Sequence, residues 1–287
     1  MILPHEHVFV DLRTPDQPGH GQADATEVVA LMAPQVVAAR AVGVTAIVEC
    51  ATGGVGRRAD LDKAVSDATG MPIVMATGIY REPWIPSWAA DASDAQLERW
   101  MLNELTTGIE QTGIIAAWIK LSAGDGGMTP LEQRILRAAA RASAATGAVI
   151  GSHTIRGRVV LEQLDVIEAE GGSASRFIWI HTQAEPDHGL HDAVAARGAF
   201  IEYDHVGQVE HEQVVGLILR ALEQGLGRQL LVSHDAGWFD PAQPGGGVPR
   251  PYTALSTGIL PMLRERGVGE ATIAMITEET PFDAYAR

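Results

Sequence analysis

A chain of 287 residues with 46% hydrophobic content is long for one core, yet closed barrels of strands and helices hold roughly 250 residues in a single domain, so one domain over 1–287 is expected. The formal charge of -15 disfavours nucleic acid and anionic membrane as partners, since both are bound through basic surface, and a single cysteine, Cys50, excludes an internal disulfide and a cysteine-based zinc cluster. No uncharged apolar stretch approaches the roughly 20 residues a bilayer requires, and MILPHEHVFVD lacks the basic and long apolar regions of a secretion signal, so a soluble, cytoplasmic protein is expected.

The first predicted strand, 2–10 (ILPHEHVFV), carries His5 and His7 two residues apart, which puts both side chains on one face of extended chain. A helix is predicted at 25–41, a strand at 44–49 (VTAIVE), a helix at 60–69 and a strand at 72–77 (PIVMAT). After the loop GIYREPW come a helix at 93–111 and an apolar strand at 114–120 (IIAAWIK) ending in Lys120. MTPLEQ then supplies Thr129 as N-cap, Pro130 at the first helical position and Glu132 at the third, opening a helix at 130–145. The remaining predicted strands are 148–152 (AVIGS), 177–181 (FIWIH), 199–203 (AFIEY) and 230–234 (LLVSH). Helices at 157–170, 187–197, 209–225 and 252–266 alternate with them, and PAQPGGGVPRP at 241–251 reads as a long loop. Eight strands alternating with helices predict a parallel sheet, and over this length favour an α/β fold closed as a (β/α)8 TIM barrel. No Gly-x-Gly-x-x-Gly follows the first strand, which removes the usual support for a dinucleotide fold.

Barrel enzymes work at the carboxyl ends of their strands, and those ends are polar here. His153 follows strand five, His181 ends strand six and Asp235 follows strand eight. Each has a bland reading: His5 and His7 alone fit core histidines bonded to backbone, and Lys120 alone fits an amine reaching into a loop. Together the imidazoles and the carboxylate suit zinc or a similar divalent ion. A buried amine loses its charge readily, so Lys120 could react with carbon dioxide to give an anionic carbamate able to bridge two cations.

These residues resemble the phosphotriesterase branch of the amidohydrolase superfamily. The marks are HxH on strand one (PHEHVFVD), a lysine ending strand four (WIKLS), histidines after strands five and six (SHT, IHT) and an aspartate after strand eight (SHDAG). ATGIYREPWIP, MTPLEQRILRAAARA and LPMLRERGV are similar too. The resemblance implies two divalent ions, zinc first, with manganese, cobalt, nickel or iron as substitutes. One would be held by His5, His7 and Asp235 and the other by His153 and His181, with carboxylated Lys120 and a hydroxide between them. It also implies a homodimer and gives Asp235 and Lys120 as the catalytic pair. The start so close to His5 and an ending of ETPFDAYAR depart from the family, which puts the barrel floor and the last helix in question.

The implied activity is opening of a lactone or cleavage of a carboxylic ester on a small-molecule substrate, with phosphotriester or amide hydrolysis as alternatives on the same centre. Tyr80, Arg81, Trp84, Arg156, His205, Trp238 and Arg250 are the candidate substrate contacts: Tyr80 by resemblance to lactonases, the tryptophans as apolar walls, and Arg156, His205 and Arg250 for an anionic group. Two other readings stay open. Lys120 could form a Schiff base as in aldolases, or the barrel could be a non-catalytic, metal-stabilised binding module.

Overall fold

Alternation of short β-branched strands with amphipathic helices folds this chain into a parallel barrel in the computed structural model, which describes residues 1–287. The strands are β1 (Ile2–Phe9), β2 (Ala46–Glu49), β3 (Ile73–Val74), β4 (Ala76–Thr77), β5 (Trp118–Ser122), β6 (Ile150–His153), β7 (Phe177–Ile180), β8 (Phe200–Tyr203), β9 (Leu230–Val232) and β10 (Gly237–Phe239). The main helices are α1 (Ala25–Ala41), α2 (Ala59–Thr69), α3 (Ser87–Asp91), α4 (Asp94–Thr106), α5 (Pro130–Thr146), α6 (Gly157–Ala169), α7 (His188–Ala196) and α8 (His211–Glu223). Three short ones follow: α9 (Leu260–Glu265), α10 (Glu270–Ala274) and α11 (Thr280–Tyr285). No helix is long and apolar enough to cross a membrane.

Pairing runs β10–β1–β2–β3 in one arc and β4 through β9 in the other, parallel throughout. β3 and β4 are one stave interrupted at Met75, so β1 to β9 make eight staves. Side chains help to close the seam between β9 and β1: the His5 amide donates to Ser233 Oγ at 3.0 Å and the Asp235 amide to the His5 carbonyl at 3.1 Å. The predicted TIM barrel is therefore the observed fold. α5 starts as expected, with Thr129 and Glu132 capping each other's backbone amides, and stops at Gly147 in the left-handed region (φ 77°).

Three expectations are corrected. The apolar run 114–120 is strand only from Trp118; Ile114 to Ala117 are the irregular approach to it, with Ile115 half exposed and the Ala116 amide bonded to the Glu104 carbonyl. The strand also runs on through Leu121 to Ser122, so Lys120 stands in the middle of β5, not at its tip. The predicted helix at 93–111 ends at Thr106, and the last helix, doubted on its sequence, is present as α10 and α11, joined by a π-helical turn.

That last segment closes the amino-terminal floor of the barrel. Ala284 is buried with Trp118, Val48, Ile178 and Leu231 in the inner core, and the Tyr285 ring meets Trp118 edge-on at 5.3 Å. The Tyr285 hydroxyl donates to the Pro4 carbonyl (2.8 Å), and Arg287 donates to the Leu105 and Ala116 carbonyls (3.0 Å each).

Gly78 shows how tightly β4 passes β5 beneath the site. At φ 113° it sits where side chains are strained, and a Cβ there would lie 2.1 Å from the Lys120 carbonyl oxygen. Gly78→Ala is expected to cost about 2 kcal/mol or more, read as a lower urea midpoint at unchanged slope.

Candidate metal centre

A cavity of about 130 Å³ opens at the carboxyl end of the barrel, lined by His5, His7, Val10, Leu12, Cys50, Val55, Tyr80, Lys120, His153, His181, Asp235 and Trp238. All six residues expected as metal ligands are in this wall. A larger depression of about 520 Å³ by Met1, Thr45 and α11 carries none of them.

β1 presents His5 and His7 inward with their ring centroids 5.4 Å apart. His7 Nε2 lies 3.1 Å and His5 Nε2 3.6 Å from Asp235 Oδ1. His5, His7 and Asp235 can each offer one donor atom to a common point, these atoms lying within 4.8 Å of one another. Burial, helped by the Lys120 charge, pulls His5 down to about 3 and keeps it neutral. Burial opposes charge on His7 as well, but Asp235 and Glu49 outweigh it and lift that ring to about 9. Without a metal, a protonated ring thus supplies positive charge between two carboxylates.

His181 and His153 form the second group, with His181 Nε2 2.8 Å from His153 Nδ1. Burial would raise the Asp204 carboxyl, but the His181 charge and hydrogen bonds from His181 and His5 hold it well below the usual range. Asp204 Oδ1 accepts from His181 Nδ1–H at 2.7 Å, which turns the Nε2 edge of that ring toward His153. Burial, with the His181 and Lys120 charges, drives His153 well below its ordinary value. Two imidazole nitrogens this close require a proton or a cation between them.

Lys120 is 2% exposed and has no hydrogen-bond or ion-pair partner among the protein's atoms; Nζ lies 5.9 Å from the centre of the Trp118 ring. An amine so placed fits either covalent modification or a ligand the protein itself does not supply.

The backbone is also unusual here. Only Glu110, His181, Asp235 and Trp238 have positive φ among non-glycine residues, and three of the four line the cavity. Such strain persists where surrounding structure imposes it and gathers at functional sites. Glu6, facing away from the cavity between the two histidines, imposes it at Asp235 (φ 51°). Its carboxylate accepts from the His234 amide (3.1 Å), His234 Nδ1 (2.6 Å), Ser233 Oγ (2.8 Å) and the Ala236 amide (2.9 Å). His234 is thus a buried strut, and its Nε2 accepts the Leu255 amide at 3.0 Å.

Glu49, Glu202 and Asp204 were not singled out in the sequence, yet each orients a histidine. Glu49 Oε1 is 3.2 Å from His7 Nδ1, and Glu202 Oε1 is 2.7 Å from His5 Nδ1. Asp204 also lies within ligating reach of His5 and His181. It does not line the cavity, and its oxygens already accept from His181 and Gln183, which makes it an orienting partner. The available signal was a carboxylate inside or at the end of an apolar strand, in AIVEC and FIEYD.

Of the expected substrate contacts, Tyr80 and Trp238 line the cavity. The Tyr80 hydroxyl lies 3.0 Å from His153 Nδ1, and burial raises it to about 12, so it stays a donor at neutral pH. Trp238 meets His7 edge-on at 5.3 Å. Trp84, Arg81 and Arg250 stand one layer back: Trp84 donates from Nε1 to the Leu12 carbonyl (2.8 Å) and packs on Tyr80, Arg81 lies beside Tyr80 and Trp84, and Arg250 stacks on Trp238. Arg156 is the N-cap residue of α6 and His205 has its Nδ1 buried without a partner; neither reaches the cavity wall.

The family model of the phosphotriesterase family matches residues 1–285. The chain is 28% identical over 306 residues to the phosphotriesterase homology protein of Mycobacterium tuberculosis, covering 100% of this chain and 93% of that one. It is 27% identical over 250 residues to the aryldialkylphosphatase of Saccharolobus solfataricus, covering 83% and 80%. A solved organophosphorus hydrolase mutant from Deinococcus radiodurans superposes with a TM-score of 0.88 at 30% identity, over 99% of this chain and 92% of the other. With the match running from the HxH strand through the helix that closes the floor, the chain belongs to the phosphotriesterase family.

Proposed function

We propose that the protein is a metal-dependent hydrolase that opens a lactone or cleaves a carboxylic ester at a two-metal centre. The observation that carries this reading is Lys120, a buried amine without a partner in the same wall as four imidazoles and one carboxylate. The donor set fits the ions: neutral imidazole and carboxylate suit zinc and its neighbours, and the convergent nitrogens leave a demand for positive charge that protons meet in their absence. His5, His7 and Asp235 would hold one ion, His153 and His181 the other, and carboxylated Lys120 would contact both. When bound, such a pair acidifies water to a nucleophile at neutral pH and polarises the substrate carbonyl.

The chain's own groups do the rest. Burial works against the Asp235 charge, but the His7 hydrogen bond and the His7 charge keep the carboxylate below its usual range, so it is ionised and ready to accept the proton of the attacking water. Glu6 fixes the direction of that carboxylate through the amides on either side of it. Tyr80 offers its O–H toward the reacting carbonyl or its leaving oxygen, and Trp238, edge-on to His7, adds apolar wall that excludes water. A small cavity of about 130 Å³, open at the barrel mouth, favours a planar carbonyl over a phosphorus centre with three ester arms, and so a lactone or ester over a phosphotriester.

The test is a substrate panel on protein loaded with zinc, manganese or cobalt. Hydrolysis of γ- and δ-lactones or aryl esters is expected to exceed that of a dialkyl aryl phosphate by about tenfold or more in kcat/KM. A chelator should abolish it and added metal restore it. Activity that survives complete metal removal, or borohydride trapping of a carbonyl substrate on Lys120, would replace this reading with the Schiff-base one.

A further inference from the structure

Acidic residues outnumber basic ones 36 to 21, and many arginines are met by carboxylates: Arg57 by Glu104, Arg58 by Asp60, Arg197 by Asp165 and Glu168. Two arginines beside the cavity's aromatic walls are not. The Arg81 guanidinium lies 5.8 Å from the Tyr80 ring centre and 6.0 Å from that of Trp84, and its one hydrogen bond is to the Ala123 carbonyl at 3.1 Å. The Arg250 guanidinium lies 4.8 Å from the Trp238 ring centre, with no hydrogen bond or ion pair.

The chain places Arg250 there by construction. The proline- and glycine-rich loop after β10 folds back so that Gly237 and Arg250 exchange two backbone hydrogen bonds of 3.0 Å, which seats Arg250 beside Trp238. Stacking on an aromatic face leaves the edge of a guanidinium, its planar fork of donors, free for an oxyanion. A cavity of about 130 Å³ is small, and Tyr80 and Trp238 both belong to its wall, so a substrate larger than its reacting group extends past the lining these side chains help to form. Those are the two side chains the unpaired guanidiniums lie against.

We infer that the substrate carries an oxyanionic group, a carboxylate or a phosphoryl group, beyond its scissile carbonyl, and that Arg81 and Arg250 bind it from the two aromatic walls. The inference rests on the hydrolase reading for the position of the carbonyl, but its binding arm does not depend on turnover.

The test is calorimetric titration of the zinc-loaded protein with butyrate, glutarate and 3-phosphonopropionate. Butyrate can occupy the metal end only, whereas the other two add an oxyanion at the far end. Wild-type protein is expected to bind at least one of the two roughly tenfold more tightly than butyrate, and Arg81→Ala and Arg250→Ala each to lose most of that advantage, while Arg250→Lys keeps part of it. Which of the two gains more identifies the oxyanion. In parallel, kcat/KM for 5-oxotetrahydrofuran-2-carboxylate relative to γ-valerolactone should fall about tenfold in each alanine variant. Equal binding of all three acids by the wild type, or an advantage unchanged in both alanine variants, overturns the inference. Arginine-dependent binding without hydrolysis of either lactone would sink the lactone reading and keep the anion site, whereas hydrolysis of both without discrimination would do the reverse.

Discussion

Lys120→Ala is expected to lose both metal and turnover. The wild-type amine stands in the cavity wall with no protein hydrogen-bond partner, so its deletion removes no side-chain hydrogen bond from the barrel. A purely structural lysine in this position would cost only packing against Trp118, 5.9 Å away. A lysine that becomes the anionic bridge would cost far more, because two cations would then face each other with less negative charge between them. Metal affinity should drop beyond the roughly 10–100-fold that loss of an outer hydrogen-bond partner costs, with hydrolysis falling in parallel. Elemental analysis after dialysis and steady-state rates measure the two effects, and a circular dichroism melt separates them from unfolding. Full activity with full metal content in this variant would remove the bridging role.

Asp235→Asn is the second large effect, and of a different kind. The amide keeps the shape and the left-handed backbone, which Glu6 holds through the His234 and Ala236 amides, but it cannot take a proton and would ligate the first ion less strongly, so rates are compared at saturating metal. The expected loss is about 10²–10⁴-fold in kcat, the span associated with a positioned general base. The sign of the pH dependence follows from the wild-type carboxylate. Its pKa is depressed in the folded protein, so the active, ionised form is present above that pKa and lost as pH falls through it. The acid limb of the wild-type profile should therefore be missing in the variant. If the variant retained that limb, the titrating group would be another one.

Much of this site could be read from the residues because strand periodicity is strict. Two histidines separated by one residue on an inward-facing strand must share a face, and the carboxyl end of a barrel strand is a small target, so His5, His7, His153, His181 and Asp235 could be placed without coordinates. The apolar run 114–120 points to the correct strand but misplaces both its ends: Ile114 to Ala117 lie before the ladder, and Leu121 and Ser122 continue it past Lys120, because a charged residue looks like a strand end when it is in fact mid-strand. The carboxylates behind the histidines were harder to find. Glu6 and Glu202 act across long sequence separations, and only the closed barrel brings Glu202 of β8 to His5 and the segment after β9 to Glu6. The floor was illegible for a similar reason. Tyr285 and Ala284 look like an ordinary terminal segment until Trp118 is seen to need a cover, and that need arises from burial at the far end of β5.

The most direct test of the central claim is diffraction from zinc-loaded crystals, collected on both sides of the zinc absorption edge. The account predicts two anomalous peaks in the cavity, one among His5, His7 and Asp235 and one beside His153 and His181, with density extending from Lys120 Nζ toward both. A single peak, peaks elsewhere, or a bare Lys120 ammonium between two occupied sites would contradict it.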